Sequence, residues 1–121
     1  MNTKSFYSNP DVVAHLKTGL PTLFHSSQTS TVIPFEKMDG ALKSNTMLGN
    51  LSTIKGSMEM LSNGNLKVSG FVTWKEAKEF CLSKGREIMT SPTEELAGVL
   101  AGIATSCTGE RSFGFRSLFS I

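Results

Sequence analysis

Residues 91–114 combine a predicted helix start with an unusual density of small side chains. Ser91 and Glu94 have the spacing of a capping box, and Pro92 stands at the first helical position. Amide groups at a helix start bind anions, and missing Cβ atoms let a ligand approach the backbone closely. The segment is therefore a candidate for contact with a phosphorylated ligand or, alternatively, for tight packing against another element. Its small residues are Ala97, Gly98, Ala101, Gly102, Ala104, Thr105, Ser106, Gly109 and Gly114.

A strand–helix–strand unit is predicted to position this segment. A second capping box, at Thr73 and Glu76, predicts a helix that ends at Gly85. A short strand is predicted over residues 86–89, and such a unit is normally parallel and right-handed. The next helix is expected to run from its start at Ser91 to about Ala104. The residues predicted to share the apolar face of the first helix are Trp74, Ala77, Phe80 and Cys81.

A hairpin is predicted before this unit. Two apolar-rich runs, 57–61 and 66–72, flank a turn over residues 62–65 that contains Asn-Gly, a pair that readily takes positive φ. Gly70 lies within the second run, where a missing side chain indicates that another backbone passes close by.

Shorter elements are predicted in the first part of the chain. Asn9 as N-cap and Pro10 predict a helix that stops at Gly19. Residues 22–31 are rich in serine and threonine, which indicates a loop with a short strand. Residues 34–43 are predicted to form a second short helix, with Met38 and Leu42 directed inward.

The composition is that of one small globular domain. The chain has 121 residues, of which 39% are hydrophobic and 18% charged, with a net charge of +2. The basic residues form no run, which argues against a nucleic-acid surface or a polybasic membrane anchor. The apolar runs are too short for a transmembrane helix, and the N-terminus lacks a hydrophobic signal region. These features predict a cytoplasmic protein without nucleic-acid or membrane partners.

The sequence indicates neither a metal centre nor an acid–base or nucleophilic active site. Cys81 and Cys107 lack metal-site spacing, and His15 and His25 are the chain's two histidines. We therefore assign no catalytic residue and no metal ligand. Both cysteines are expected to fill space in a reduced protein.

The second half of the chain resembles a known family. Residues 68–77 are similar to the strand-then-helix entry of FAD-linked oxidases of the vanillyl-alcohol oxidase type, which carry a PCMH-type FAD-binding domain. Residues 85–92 resemble the glycine, short strand and proline that follow there. Residues 100–105 resemble the family stretch V-G-G-x-I-A-T, and Gly109 and Gly114 resemble the glycines beyond it.

This resemblance covers residues 66–118 and implies an α+β fold, a small and incomplete FAD-binding subdomain containing a strand–helix–strand unit. It implies FAD as the cofactor and, in the whole enzyme, transfer of a hydride from a substrate C–H to flavin N5. Residues 1–121 are then one partial FAD-binding domain. The cofactor-binding residues implied are Ser91, Pro92, Thr93, Ala101, Gly102, Ala104, Thr105, Ser106, Gly109 and Gly114.

Two departures from the family pattern bear on activity. The family has an earlier glycine-rich phosphate loop, often with a histidine bonded to the flavin. The nearest segment here, residues 24–30, contains His25 but no glycine. The family also continues into a substrate-covering subdomain, whereas this sequence ends at Ile121. The chain is therefore expected to be a truncated copy that is inactive alone, with a second subdomain or another copy of itself as partner.

Two other functions are compatible with the same residues. The chain would act as a non-catalytic α+β interaction module, or a degenerate remnant, if its small-residue segment packs against a partner. Such a module would expose apolar surface. Alternatively, the predicted helix start would bind a nucleotide other than FAD.

Overall fold

The described part of the chain contains two small sheets and four helices. The structure, a computed structural model, describes residues 2–28, 40–89 and 91–104, except for the side chains of 41–43. The predicted α+β class is confirmed. The elements in chain order are β1 (Asn2–Ser5), α1 (Asn9–Leu16), β2 (Thr22–His25), α2 (Gly40–Asn45), β3 (Met47–Asn50), β4 (Ser57–Met60), β5 (Leu66–Ser69), α3 (Trp74–Ser83) and α4 (Val99–Ala104).

The first sheet is parallel throughout, with β3 between β1 and β2. α1 connects the two outer strands and packs through His15, whose ring centroid lies 5.2 Å from that of Phe6. The His15 Nε2 and Thr22 Oγ1 atoms are hydrogen-bonded at 2.7 Å. On the central strand, a Cβ built at Gly49 would lie 2.9 Å from the Phe24 ring and 3.0 Å from the Phe6 ring. Glycine at this position therefore lets the two aromatic rings cover the sheet.

The N-terminal elements differ from the sequence prediction in detail. The N-cap of α1 is Ser8 rather than Asn9, because the Ser8 side chain accepts a hydrogen bond from the Asp11 amide. The predicted short strand is present as β2, whereas β1 and β3 were not predicted. Residues 29–39 lie outside the described residues, so the predicted helix over 34–43 is described only where it overlaps α2.

The predicted hairpin is confirmed as β4 and β5, which pair antiparallel from Ser57–Ser69 to Met60–Leu66. Within its turn Gly64 takes a φ of +86°, while Asn63 keeps a negative φ, so only the glycine uses the left-handed region. The Gly64 amide donates to the Leu61 carbonyl at 2.9 Å. This geometry is a type I turn followed by a left-handed glycine rather than a turn with two positive φ angles.

The capping box of α3 is confirmed, with both reciprocal bonds between Thr73 and Glu76 present. At its other end Gly85 has a φ of +71°. The Gly85 and Arg86 amides donate to the Leu82 and Cys81 carbonyls, which together make a Schellman motif. The predicted inward face is largely confirmed. Trp74 and Ala77 join Val72 and Val99 in the core, Cys81 is buried, and Phe80 is half-buried.

The predicted strand over residues 86–89 is wrong, and the parallel strand–helix–strand unit built on it does not form. The Arg86 amide closes the helix cap by donating to the Cys81 carbonyl at 2.8 Å. The residues after α3 form its cap instead of a strand, and Ile88 is partly buried against the core cluster.

The predicted helix start at Ser91 is also wrong, because α4 begins at Val99. The carbonyls of Ala97 and Glu95 accept hydrogen bonds from the Trp74 and Lys75 amides at 3.0 and 2.9 Å. A helix over residues 91–104 would have used those same carbonyls for its own amides four residues on. The first turn of α3 therefore takes the acceptors that the predicted helix would have needed.

Gly70 and Gly85 allow a matched test of the close approach predicted at Gly70. Both have a φ near +70°, but a Cβ at Gly70 would overlap the Lys55 carbonyl, whereas a Cβ at Gly85 would meet nothing within 4 Å. We expect Gly85→Ala to cost about 1 kcal/mol of unfolding free energy, from backbone strain alone. Gly70→Ala should cost at least about 2 kcal/mol more, because the backbone must also move. Urea denaturation measures both, and equal losses would contradict the close approach.

Candidate functional site

A groove of about 580 Å³ lies where five segments of the chain meet, one of them contributing Leu51 and Ile54. One wall is the end of β2 with Ser26 after it, and another is the segment 98–104. Phe71 and its neighbours lie between them, and α1 closes the remaining side through Asn9, Val12 and Val13. The volume is within the range that small-molecule and cofactor sites occupy.

Backbone hydrogen bonds between distant segments hold these walls in place. The Leu51 amide donates to the His25 carbonyl at 2.8 Å, and the Phe71 amide donates to the Ile54 carbonyl at 3.1 Å. A Cβ built at Gly98 would lie 3.3 Å from Ser26 Oγ and 3.4 Å from the Phe71 ring. The small-residue segment thus passes directly against both neighbouring walls.

The lining of the groove is apolar and uncharged. Among the described residues, no lysine, arginine, aspartate or glutamate contributes to it. The polar side chains are Asn9, His25 and Ser26, and the aromatic ones are Phe24 and Phe71. An uncharged, flat ligand suits such a surface, because a charge placed there without a partner loses its hydration.

The cofactor-binding residues implied by the resemblance do not all lie in this groove. Ala101 and Ala104 line the groove, and Gly102 is buried beside it, with its amide donating to the Gly98 carbonyl at 3.1 Å. Four further residues implied by the resemblance lie outside the described residues: Thr105, Ser106, Gly109 and Gly114.

Ser91, Pro92 and Thr93 line a second pocket of about 220 Å³ beside α3. Lys78 and Glu95, which form an ion pair at 3.0 Å, also line it. These three implied residues are therefore not brought together with Ala101 and Ala104.

The expected anion site at a helix start is not formed at residues 91–94, because no helix begins there. α4 starts with the Val99 amide donating to the Val72 carbonyl at 2.8 Å. The segment thus contributes to the groove through Gly98, Ala101 and Ala104 together with the larger Val99 and Leu100, rather than through a row of amides at a helix start.

Sequence reasoning missed most of the groove's other lining residues. Phe71 follows Gly70, whose missing side chain gave the only local signal that a close approach occurs nearby. Phe24 and Ser26 come from the other half of the fold. Gln28, next to this wall, has a φ of +56° and is the only non-glycine residue of the described ranges with positive φ. No sequence pattern around Gln28 indicates this positive φ.

Cys81, the one cysteine among the described residues, does not line the groove. Cys81 is buried in α3, as predicted from its helix face, and burial raises the pKa of its thiol above the ordinary value of 9.0. Cys107 lies outside the described residues.

Within the described ranges no group of three or more histidine, cysteine, aspartate or glutamate residues could hold a metal ion. No helix in those ranges has the length and apolar character needed to cross a membrane.

The buried thiol predicts a pH dependence of stability. Because the folded-state pKa of Cys81 is raised, its stabilising contribution is present below the unfolded value of 9.0 and is lost as the pH rises through and above it. Urea denaturation from pH 7 to pH 10 should give a steeper loss of unfolding free energy for the native chain than for Cys81→Ala. Parallel pH curves for the two proteins would contradict the assignment.

Comparisons with known proteins supply no identification. No family model, curated protein or solved structure matches the chain. Function is therefore inferred from the groove and from the residues that carry the resemblance.

Proposed function

We propose that the chain is the FAD-binding part of an FAD-linked oxidoreductase with a PCMH-type domain. One observation carries the proposal. Two stretches that resemble the family, residues 68–77 and 100–105, are distant in sequence, but described residues of both line the same groove. Phe71 and Val72 come from the first stretch, and Ala101 and Ala104 from the second.

The residues present fit part of such a cofactor. The uncharged walls suit its ring system, and the alanines of α4 leave room for a flat group against the helix surface. Gly98 keeps this helix close to Ser26 and Phe71, where a larger residue would push the walls apart. Phe71, Ala101 and Ala104 would hold the ring by contact, and His25 and Ser26 would supply polar contacts.

When bound, a flavin supplies the redox chemistry by accepting a hydride at N5 from a substrate C–H. The chain's own contribution is to bind the ring, fix its orientation and exclude water from its covered face. We assign none of the described side chains a role at the reacting carbon. The domain would therefore need further protein to position a substrate.

A second candidate function, as an interaction module, is supported by exposed apolar side chains around α4. Leu96, Leu100 and Ile103 are 58%, 45% and 40% exposed. Neighbouring apolar groups of this kind are typical of surfaces that a partner covers. This reading is compatible with the first, since a cofactor-binding part would also contact the rest of its enzyme.

Filling the groove with one side chain tests the first proposal. Ala101 and Ala14 are both exposed helical alanines, but only Ala101 lines the groove. Equilibrium dialysis of the full chain against FAD should detect binding that Ala101→Leu weakens at least about tenfold, because the leucine occupies ligand space. Ala14→Leu is the control and should bind FAD like the native chain.

Four outcomes would contradict the assignment. The first is that the native chain retains no FAD at any concentration tested, and the second is that Ala101→Leu and Ala14→Leu bind it equally well. Binding of ADP but not FAD would favour a site for another nucleotide. Concentration-dependent self-association in light scattering, without FAD binding, would favour the interaction module.

A further inference from the structure

We propose that Asn63, in the turn between β4 and β5, is a site of spontaneous deamidation, and that the pairing of these two strands controls its rate. The reaction replaces the side-chain amide with a carboxylate and needs water as its only co-reactant. The inference goes beyond the proposed function and is independent of it, because none of the turn residues 61–65 lines the groove.

Asn63 combines the neighbour and the exposure that this reaction needs. It is the one asparagine of the chain that is followed by glycine. Glycine lets its own amide nitrogen approach the preceding side chain closely, because it has no Cβ to obstruct the approach. Asn63 is exposed to the water that the reaction consumes. Asn65 is exposed in the same turn but is followed by Leu66, so it serves as an internal control.

The reaction proceeds in two steps without oxidation or reduction. In the first, the Gly64 amide nitrogen loses its proton to hydroxide and bonds to Asn63 Cγ. The Cγ–Nδ2 bond breaks, Nδ2 takes a proton from water and leaves as ammonia, and a succinimide ring remains. In the second, water adds to one ring carbonyl, the bond from that carbon to the ring nitrogen breaks, and the nitrogen regains a proton. One water is consumed and one ammonia is released.

The folded turn holds both reacting groups. The Gly64 amide donates to the Leu61 carbonyl at 2.9 Å, and this hydrogen bond must break before the nitrogen can lose its proton. The Asn63 Oδ1 atom accepts from the Asn65 amide at 3.0 Å, which fixes the side chain that the nitrogen must reach. The Leu61 amide, donating to the Asn65 carbonyl at 2.8 Å, closes the hairpin around them. The rate should therefore follow the population in which the hairpin is open.

The two products differ in their backbone. Opening of the ring at Cγ gives aspartate with the original backbone, and its side chain keeps an oxygen that can accept from the Asn65 amide. Opening at the main-chain carbonyl gives isoaspartate, whose backbone runs through Cγ and is one carbon longer. The extra carbon displaces Gly64 from the Leu61 carbonyl, so the turn that sets the register of β4 and β5 is lost.

A cation beside the turn is compatible with the aspartate product. A Cβ built at Gly64 would lie 3.3 Å from a terminal nitrogen of the Arg86 guanidinium. In the part of the chain that the structure describes, no carboxylate forms an ion pair with Arg86. A carboxylate at position 63 would bring a negative charge next to this cation. The aspartate form should therefore fold like the native chain.

Mass spectrometry of the full chain tests the site. The protein is incubated at mildly alkaline pH and digested, and the peptides are searched for replacement of NH₂ by OH. We expect conversion at Asn63 and not at Asn65, at least about tenfold slower in the folded chain than in guanidinium chloride. An unreacted Asn63 in the folded chain, or equal conversion of Asn65, would overturn the site. Equal rates at Asn63 in the folded and unfolded chain would overturn the control by strand pairing.

Two substitutions at one exposed strand position test that control. Lys67 lies opposite Glu59 in the hairpin, outside the turn and on the exposed face. Lys67→Gly weakens strand pairing and Lys67→Thr favours it, so Asn63 should react about fivefold faster in the glycine variant. Both variants should react at the same rate in guanidinium chloride. Equal rates in the two folded variants would contradict the control by strand pairing.

Trp74 reports what the isoaspartate product does to the fold. It is the chain's single tryptophan, is 2% exposed, and belongs to the core cluster against which Met58, Leu66 and Val68 of the hairpin pack. The isolated isoaspartate form should show red-shifted tryptophan emission and unfold at a lower temperature, whereas Asn63→Asp should match the native chain. Native-like emission and unfolding of the isoaspartate form would overturn the role given to the turn.

Discussion

The junction between the first turn of α3 and residues 95–99 is the constraint on which the groove depends. Helix α3 begins with amides that have no partner inside the helix, and the carbonyls of Glu95 and Ala97 accept two of them. The Val99 amide then donates to the Val72 carbonyl, which places α4 beside Phe71. Each of these bonds contributes about 1 kcal/mol. Together they bring the small-residue segment to the wall that Gly70 and Phe71 form.

The same junction explains how far sequence reasoning could go. The hairpin, the Thr73 capping box and the stop at Gly85 were predictable because each is decided within a few residues. The capping-box pattern at Ser91 was equally regular, but the helix predicted from it does not form. The Glu95 and Ala97 carbonyls that this helix would have used accept hydrogen bonds from the first amides of α3 instead. β1 and β3 were not predicted because parallel pairing joins strands that are distant in sequence, and no local sequence pattern identifies which strands pair.

Among the described residues, the groove combines walls without lysine, arginine, aspartate or glutamate with three polar side chains, those of Asn9, His25 and Ser26. Its aromatic and alanine walls come from both halves of the fold, and the parallel sheet fixes the strand that ends at His25. Such a surface recognises a ligand by its shape and by a small number of directed hydrogen bonds rather than by its charge. These properties are the basis of the proposed function, in which a flat group lies against the described walls.

Nuclear Overhauser effects between bound FAD and the full chain test the central claim most directly, since they report which side chains contact the cofactor. We predict contacts from flavin or adenine ring protons to the methyl groups of Ala101 and Ala104 and to the ring of Phe71. Contacts confined to residues 91–93, or an absence of any contact at the groove while FAD is bound, would contradict the account.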